Sequence, residues 1–253
     1  MDTSTQYGQM DMNLPHDVVN LPSGGKFYKN KKSSLKVGYL TANDENILMS
    51  PNIIQSEGVI RTLLKQKIYE PNFNVDELLD GDVQAILMFL RNTAFGTSYN
   101  IKAIDPVTNK EFETKIELDE INFLKPEIEP NERGLFQFTL PSSGKVVECK
   151  LLNIGEQEEI TKLTSQYPKG MIAPITTKTL EKQIVTLNGD DNKQNISVFI
   201  SQMPIADSKY IRKELSKCEP RLDLNKQITA PSGEKVNVVV TFGAEFFRPF
   251  FWL

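Results

Sequence analysis

Histidine, cysteine and tryptophan are scarce in this chain of 253 residues, which contains one histidine, two cysteines and one tryptophan. The histidine, His16, lies in a polar stretch near the N-terminus where we expect little fixed structure. It is therefore a poor candidate for the base of a Ser-His-Asp or Cys-His catalytic group. Cys149 and Cys218 have no further ligand at metal-binding spacing, and we interpret them as free thiols of a cytosolic protein. We predict no metal and no cofactor.

Long apolar runs and an excess of basic residues are also missing. The longest run of aliphatic or aromatic side chains covers residues 86–90, far less than the ~20 residues that span a bilayer as a helix. Residues 1–20 have neither the basic start nor the apolar centre of a signal peptide. The net charge of −4 gives no general footprint for nucleic acid or for an anionic membrane. We therefore expect no membrane and no nucleic acid among the partners.

Two segments resemble phosphate-binding loops only superficially. Residues 23–26, Ser-Gly-Gly-Lys, and residues 143–145, Ser-Gly-Lys, lack the glycine spacing of a P-loop and the Ser or Thr that follows its lysine, so we interpret both as turns. Several acidic residues at helix starts and turns are typical solvated caps: Asp80, Asp82, Glu158, Glu159, Asp190 and Asp191. We predict that the chain is not an enzyme. A hydrolase that uses clustered carboxylates is a less favoured alternative, and it would need a convergent acidic pair in a pocket.

A similar pattern occurs twice along the chain. Residues 105–112 and 230–236 each form a turn followed by a strand-like run, and the two turns lie 230 − 105 = 125 residues apart. Each follows a predicted helix with a similar signature, Phe-Leu-Arg at 89–91 and Tyr-Ile-Arg at 210–212. Repetition in the same order is typical of two copies of one structural unit, although two hairpins can also be alike by chance. We predict an α+β fold of two tandem, internally duplicated modules, each built of helices plus a ribbon-like β-hairpin.

The clearest predicted boundary is at residues 126–132, where two prolines and three acidic residues disfavour regular structure. We predict four segments: a flexible N-terminal arm at 1–20, a first α+β module at 21–126, a linker at 127–132, and a second α+β module with an aromatic C-terminal tail at 133–253. Within them, residue spacing predicts helices at 56–69, 82–94, 156–165, 177–187 and 207–215 and hairpins at 99–118, 135–151 and 227–242.

The last twelve residues contain six aromatic side chains: Phe242, Phe246, Phe247, Phe250, Phe251 and Trp252. An exposed patch of this kind favours aggregation. The segment therefore either folds back onto its own module or inserts into a partner. We predict that Phe242 and Phe246 anchor the hairpin internally and that residues 247–253 dock into a partner. The expected partner contacts are Phe247, Arg248, Phe250, Phe251 and Trp252.

Short motifs are spread over residues 21–253. They are Leu-Pro-Ser-Gly-Gly-Lys-Phe-Tyr at 21–28, Leu-Thr at 40–41, Leu-Leu-Asp-Gly-Asp at 78–82, Leu-Arg at 90–91 and Glu-Phe-Phe-Arg-Pro-Phe at 245–250. Together they resemble the baseplate hub assembly proteins of T-even-type contractile-tailed phages. The resemblance implies a non-enzymatic role in building the tail baseplate, as an assembly factor or a hub-associated component. The implied partners are other baseplate or tail proteins, or further copies of this chain, in the host cytoplasm during assembly or in the virion tail.

One difference from this family concerns metal. In many relatives the hairpin after the Leu-Arg motif carries a Cys-x-x-Cys ribbon. Here residues 105–108 read Asp-Pro-Val-Thr, and the corresponding residues 230–233 read Ala-Pro-Ser-Gly. The resemblance therefore implies ribbon-like turns without zinc. A chaperone or adaptor outside any phage is the alternative function, because the same physical features would suit it.

Overall fold

The computed structural model describes residues 15–49, 59–168, 170–242 and 244–247. This part of the chain has an α+β fold, as predicted, in which helices accompany small antiparallel sheets. The largest sheet among the described residues has three strands. None of the helices in these ranges is long and apolar enough to cross a bilayer.

The N-terminal half begins with a strand pair and ends with a hairpin. Its elements are β1 (His16–Asn20), β2 (Ser34–Gly38), α1 (Ala42–Met49), α2 (Val59–Lys67), α3 (Asp80–Phe95), β3 (Ser98–Ile104) and β4 (Glu111–Glu117). β1 pairs with β2 and β3 pairs with β4, both antiparallel. The predicted flexible arm is wrong for residues 16–20, because Val19 is buried in one cluster with Leu35 and Val37 and the segment pairs as a strand. Residues 1–14 lie outside the described residues.

The C-terminal half has a three-stranded sheet near its start and closes with a hairpin. Its elements are β5 (Phe123–Leu124), β6 (Phe136–Thr139), β7 (Val146–Cys149), α4 (Ile154–Ser165), α5 (Ile175–Gln183), β8 (Ile184–Leu187), α6 (Lys193–Ser201), α7 (Ile205–Cys218), β9 (Arg221–Leu222), β10 (Asn225–Thr229) and β11 (Lys235–Val239). β6, β7 and β8 form one sheet in that order, while β5 pairs with β9 and β10 with β11. The helix predicted at 177–187 ends at Gln183, because the β-branched residues that follow continue as β8 against β7.

Two clusters of buried side chains form the core. The first joins β1, β2, α2 and α3 to residues near the end of the chain: Leu222, Ile228, Val240, Phe246 and Phe247. The second lies among the sheet β6–β8 and helices α5, α6 and α7. The predicted second module, 133–253, therefore does not share one core, because its closing hairpin buries its apolar face against the first half of the chain.

Helix α3 connects the two clusters. Its buried face has the predicted helical spacing: Val83, Ile86, Leu87 and Leu90. The helix ends at Phe95 and is followed by Gly96, whose φ of 78° suits a residue without a Cβ. At the other end Leu79 belongs to the second cluster. Gly81 lies so close to the chain at Pro220 that a Cβ at position 81 would overlap the Pro220 carbonyl oxygen. A glycine is therefore required where the two halves meet.

Candidate interaction surfaces

Asp82 in the first turn of α3 fastens the turn at residues 21–28 to the helix. Its carboxylate accepts a hydrogen bond from the Ser23 backbone N–H at 2.9 Å and another from the Tyr28 hydroxyl. The Tyr28 oxygen accepts in turn from the Leu79 N–H at 3.1 Å. Asp82 is 0% exposed. Burial raises the pKa of its carboxyl above the ordinary value, and the hydrogen bonds from Ser23 and Tyr28 offset part of that rise.

Asp207 in α7 holds a second turn in the same way. Its two carboxylate oxygens accept from the backbone N–H groups of Ser142 at 2.7 Å and Ser143 at 3.0 Å. Burial by itself would raise the pKa of this carboxyl, but the hydrogen bonds from the two serines outweigh burial and hold the pKa below its ordinary value. The ionised form of Asp207 is therefore part of the stable fold.

The two carboxylates occupy equivalent positions. Each is the third residue of its helix, and each binds a turn that starts Leu-Pro-Ser, at residues 21–23 or 140–142. They lie 207 − 82 = 125 residues apart, the same spacing as the two hairpin turns. The Ser23, Ser142 and Ser143 amides are already bound by these carboxylates, so the lysine-bearing segments are turns, as predicted, and not free phosphate cradles.

The two hairpin turns that look alike in sequence touch each other. Asp105, at the end of the β3 strand, accepts hydrogen bonds from its own turn, from the N–H groups of Val107 at 2.9 Å and Thr108 at 3.2 Å. It also accepts from the Ser232 N–H of the β10–β11 turn at 3.0 Å. Although burial opposes it, these hydrogen bonds hold the pKa of Asp105 below its ordinary value. A carboxylate thus joins the two turns that the resemblance predicted to be ribbon-like and free of zinc.

The two cysteines lie in the second core cluster, away from these turns. Both are buried and neither forms a disulfide. Burial raises the pKa of each thiol to about 12. Both side chains are therefore neutral and apolar at physiological pH, whereas a metal ligand would be a thiolate. Within the described ranges, His, Cys, Asp and Glu side chains form no group of three or more suited to a metal ion.

Arg91 has a structural role that its sequence motif does not reveal. Its guanidinium donates to the carbonyl oxygens of Gly96 at 2.5 Å and Ser98 at 3.1 Å, and it lies over the rings of Phe95 and Tyr99. Its side chain is fully buried, so it fixes the start of the first hairpin. Arg212 in the similar motif of α7 is exposed. The two Leu-Arg-like signatures are therefore not equivalent in three dimensions.

The described end of the chain forms an aromatic cluster. The ring of Phe246 lies 4.7 Å from Phe242, 5.4 Å from Tyr99 and 5.3 Å from Phe247, measured between centroids. Phe242 and Phe246 pack internally, as predicted. Phe247 is only 1% exposed. Its predicted role as a partner contact is therefore corrected, because its side chain is buried in the chain's own core. The other predicted contacts, Arg248, Phe250, Phe251 and Trp252, lie outside the described residues.

A cavity of about 300 Å³ opens where α3 meets β9, and we call it the junction cleft. Its wall combines polar groups with apolar side chains, and the apolar side chains include Leu79, Leu124, Leu151, Leu222, Leu224 and Val239. Leu124 and Val239 are exposed although they are large and apolar. The cleft therefore offers a concave surface of mixed polarity, lined in part by leucine side chains and by the backbone at Gly81 and Pro220.

Two carboxylates, Asp80 and Glu219, also line the junction cleft. Burial raises the pKa of Asp80, although the Gln84 amide donates to it at 2.7 Å. Burial and the nearby charge of Asp80 raise the pKa of Glu219, while Arg221 acts in the opposite direction. Among the described residues neither carboxylate forms an ion pair within 4.0 Å. Asp80 keeps an exposed surface in the first turn of α3, in agreement with its interpretation as a solvated cap. Nothing in the sequence indicates that it lies near Glu219, because only the fold brings them together.

Residues 15–248 match the family model described as T4 bacteriophage base plate protein, so the chain belongs to this family of phage tail proteins. This confirms the resemblance seen in the short motifs. Comparisons with curated proteins and with solved structures gave no significant match.

Proposed function

We propose that this phage baseplate protein is a hub component or a hub assembly factor that has no catalytic activity and works through contacts with other baseplate or tail proteins. Family membership over residues 15–248 is the observation that carries the proposal. The roles of Asp82, Asp105 and Asp207 support it, since each buried carboxylate accepts hydrogen bonds from its own chain. The protein acts in the host cytoplasm during assembly and, where it stays in the particle, in the virion tail.

The partner contact in this proposal lies just beyond the buried aromatic cluster. The candidate contacts are Arg248, Phe250, Phe251 and Trp252. Arginine and large aromatic side chains supply much of the binding energy in protein interfaces. Pro249 fixes one backbone angle and so reduces the entropy lost on docking. Because Phe246 and Phe247 are buried, the segment starts from a fixed point of the fold. Its partner is a neighbouring baseplate protein or a second copy of this chain.

The test is phage assembly with a Phe250→Ala/Trp252→Ala variant. We expect fewer completed baseplates, counted by sedimentation and electron microscopy, because each anchor contributes on the order of 1–3 kcal/mol to binding. The thermal midpoint of the isolated protein should stay nearly unchanged. Tyr167 is an exposed aromatic residue just after α4, and Tyr167→Ala is the matched control, which should assemble normally. A strong drop in the midpoint of the double variant would place the segment in the chain's own core and refute the docking proposal, as would normal assembly.

The two alternative functions, a chaperone or adaptor outside any phage and a carboxylate hydrolase, differ in their support. A chaperone or adaptor outside any phage loses support, because the chain belongs to a phage baseplate family. The carboxylate hydrolase has one observation in its favour, the acidic pair Asp80 and Glu219 in the junction cleft. In such an enzyme one protonated carboxyl acts as acid and the other carboxylate as base or nucleophile. Our proposal expects no hydrolysis of peptidoglycan or chromogenic glycosides by the wild-type chain; activity that Glu219→Gln abolishes would establish the hydrolase instead.

A further inference from the structure

The junction cleft combines features that suit a docked side chain. Asp80 and Glu219 lie in a concave site, and within the described residues neither has a salt-bridge partner. Arg221 is the cation that lines the same cleft, so two carboxylates and one guanidinium leave a net negative charge. A cation that enters the cleft would therefore be attracted and would relieve the repulsion between the two carboxylates.

The apolar residues that line the junction cleft favour a ligand that carries apolar groups as well as a positive charge. Leucine side chains and Val239 line the same cleft as the carboxylates, and a cavity of about 300 Å³ is large enough for a bulky side chain. Apolar contact and a charge-assisted hydrogen bond would therefore act side by side. The fitting ligand is a peptide segment in which an arginine lies next to large apolar residues.

This chain itself contains such a segment, at residues 248–253, with the sequence Arg-Pro-Phe-Phe-Trp-Leu. We propose that the junction cleft of one copy receives residues 248–253 of a second copy, with Arg248 placed against Asp80 and Glu219 and the aromatic rings against the leucine wall. The inference rests on the proposed role of this segment as the partner contact and names its receptor. Arginine matches the carboxylates better than lysine, since its planar group can donate to two oxygens at once.

Binding of this kind joins different surfaces of the two copies. Each chain offers one segment and one cleft, so the contact is head-to-tail, and repetition gives either a closed ring or an open filament. The oligomer is therefore expected to depend on concentration and on salt, because part of the attraction is electrostatic.

Trp252 makes the test direct, because it is the one tryptophan in the chain. Its fluorescence in the full-length protein reports on the docked segment without any label. We expect the emission to shift to shorter wavelength as protein concentration rises, in parallel with association measured by sedimentation velocity. Asp80→Asn/Glu219→Gln should weaken that association on the order of tenfold or more and keep the emission at longer wavelength. Asp119→Asn/Glu234→Gln, which neutralises two exposed acids elsewhere, is the matched control and should behave as wild type.

A charge exchange separates specific pairing from a general loss of charge. Arg248→Glu alone should abolish association, and adding Glu219→Lys should restore a substantial part of it. Failure of the exchange to restore association would overturn the pairing of these residues. Long-wavelength emission at every concentration would overturn docking between copies, and phage assembly with Phe250→Ala/Trp252→Ala would still test docking into another baseplate protein. Short-wavelength emission from a monomer at the lowest concentration would show that the segment packs on its own chain, which would refute this inference and the partner contact together.

Discussion

Replacing Gly81 with alanine tests whether α3 and β9 meet as closely as the fold requires. Gly81 lies in the first turn of α3, and a Cβ there would overlap the Pro220 carbonyl oxygen and lie 2.7 Å from the carbonyl carbon. It would also lie 3.1 Å from the Arg221 Cα. All three atoms belong to backbone, which cannot move aside as the end of a flexible side chain can. The added methyl group must therefore push α3 and β9 apart.

Two effects of opposite sign determine the outcome for Gly81→Ala. Alanine in a helix is favoured over glycine by about 1 kcal/mol. Overpacking against backbone costs about 1–3 kcal/mol, and the direct overlap here belongs at the upper end of that range. We therefore expect a net loss of about 1–2 kcal/mol in the free energy of unfolding. For a chain of this size each kcal/mol corresponds to roughly 2–4 °C in the thermal midpoint.

The assay is thermal and urea unfolding of wild-type protein, Gly81→Ala and Thr93→Ala. Thr93 is exposed on the same helix, and its hydroxyl donates to the carbonyl oxygens of Phe89 and Leu90 in the preceding turn. Such bonds add little to helix stability, so Thr93→Ala should leave stability unchanged or slightly higher. The sign of the change in unfolding free energy for Gly81→Ala shows whether Pro220 lies against the helix. If this variant is as stable as wild type or more stable, while the control behaves as expected, then Pro220 does not approach the helix in solution and the account of the junction cleft is wrong.

Other predictions concern protonation, thiols and metal. Because hydrogen bonds hold the pKa of Asp207 below its ordinary value, its ionised form stabilises the fold, and this contribution is lost as the pH falls through the lower folded-state pKa. Asp207→Asn should lower the thermal midpoint at pH 7, and the gap to wild type should narrow in strong acid; a gap that is independent of pH would contradict this. Burial raises the pKa of Asp82, so the contribution of its protonated form to stability is largest in acid and declines as the pH rises through the folded-state pKa. The difference in thermal midpoint between wild type and Asp82→Asn should therefore narrow as the pH rises, the opposite of the trend for Asp207→Asn. Cys149 and Cys218 should react with a thiol reagent only after unfolding, since burial raises each pKa to about 12, and rapid labelling of the native protein would refute their placement. A chelator should leave the midpoint unchanged, whereas one tightly held zinc per chain in elemental analysis would overturn the interpretation of the ribbon turns.

Internal duplication stays a prediction, and the structure suggests the alignment with which to test it. Asp82 and Asp207 bind equivalent turns and are 207 − 82 = 125 residues apart, and the turns at Asp105 and Ala230 have the same separation, 230 − 105 = 125. The Leu-Arg-like signatures at 89–91 and 210–212 follow a different spacing. When Asp82 is aligned with Asp207, α3 should superpose on α7 and the β3–β4 hairpin on the β10–β11 hairpin. An experimental structure in which these elements connect differently would refute duplication.

Local patterns in the sequence determined much of the secondary structure and the family. The spacing of apolar residues in α3, the glycine that ends it and the turn residues of both hairpins act over a few neighbouring positions, so they can be identified without knowledge of the rest of the fold. The short motifs at 21–28 and 78–82 likewise identified the phage baseplate family. Their physical role, however, is not local, since the Ser23 N–H of the first motif donates to Asp82 of the second across 59 residues of sequence.

The tertiary structure decided which surface covers each apolar face and which polar groups meet. Phe247 is buried and the closing hairpin packs on the first half because their burial depends on contacts between residues far apart in sequence. Residues 184–187 became a strand because β7 offers unpaired backbone groups beside them, and that pairing overrides a helical pattern. Asp80 and Glu219 share the junction cleft because the chain returns to α3 at Pro220. Such long-range contacts depend on the whole packed chain, and residue spacing carries no record of them.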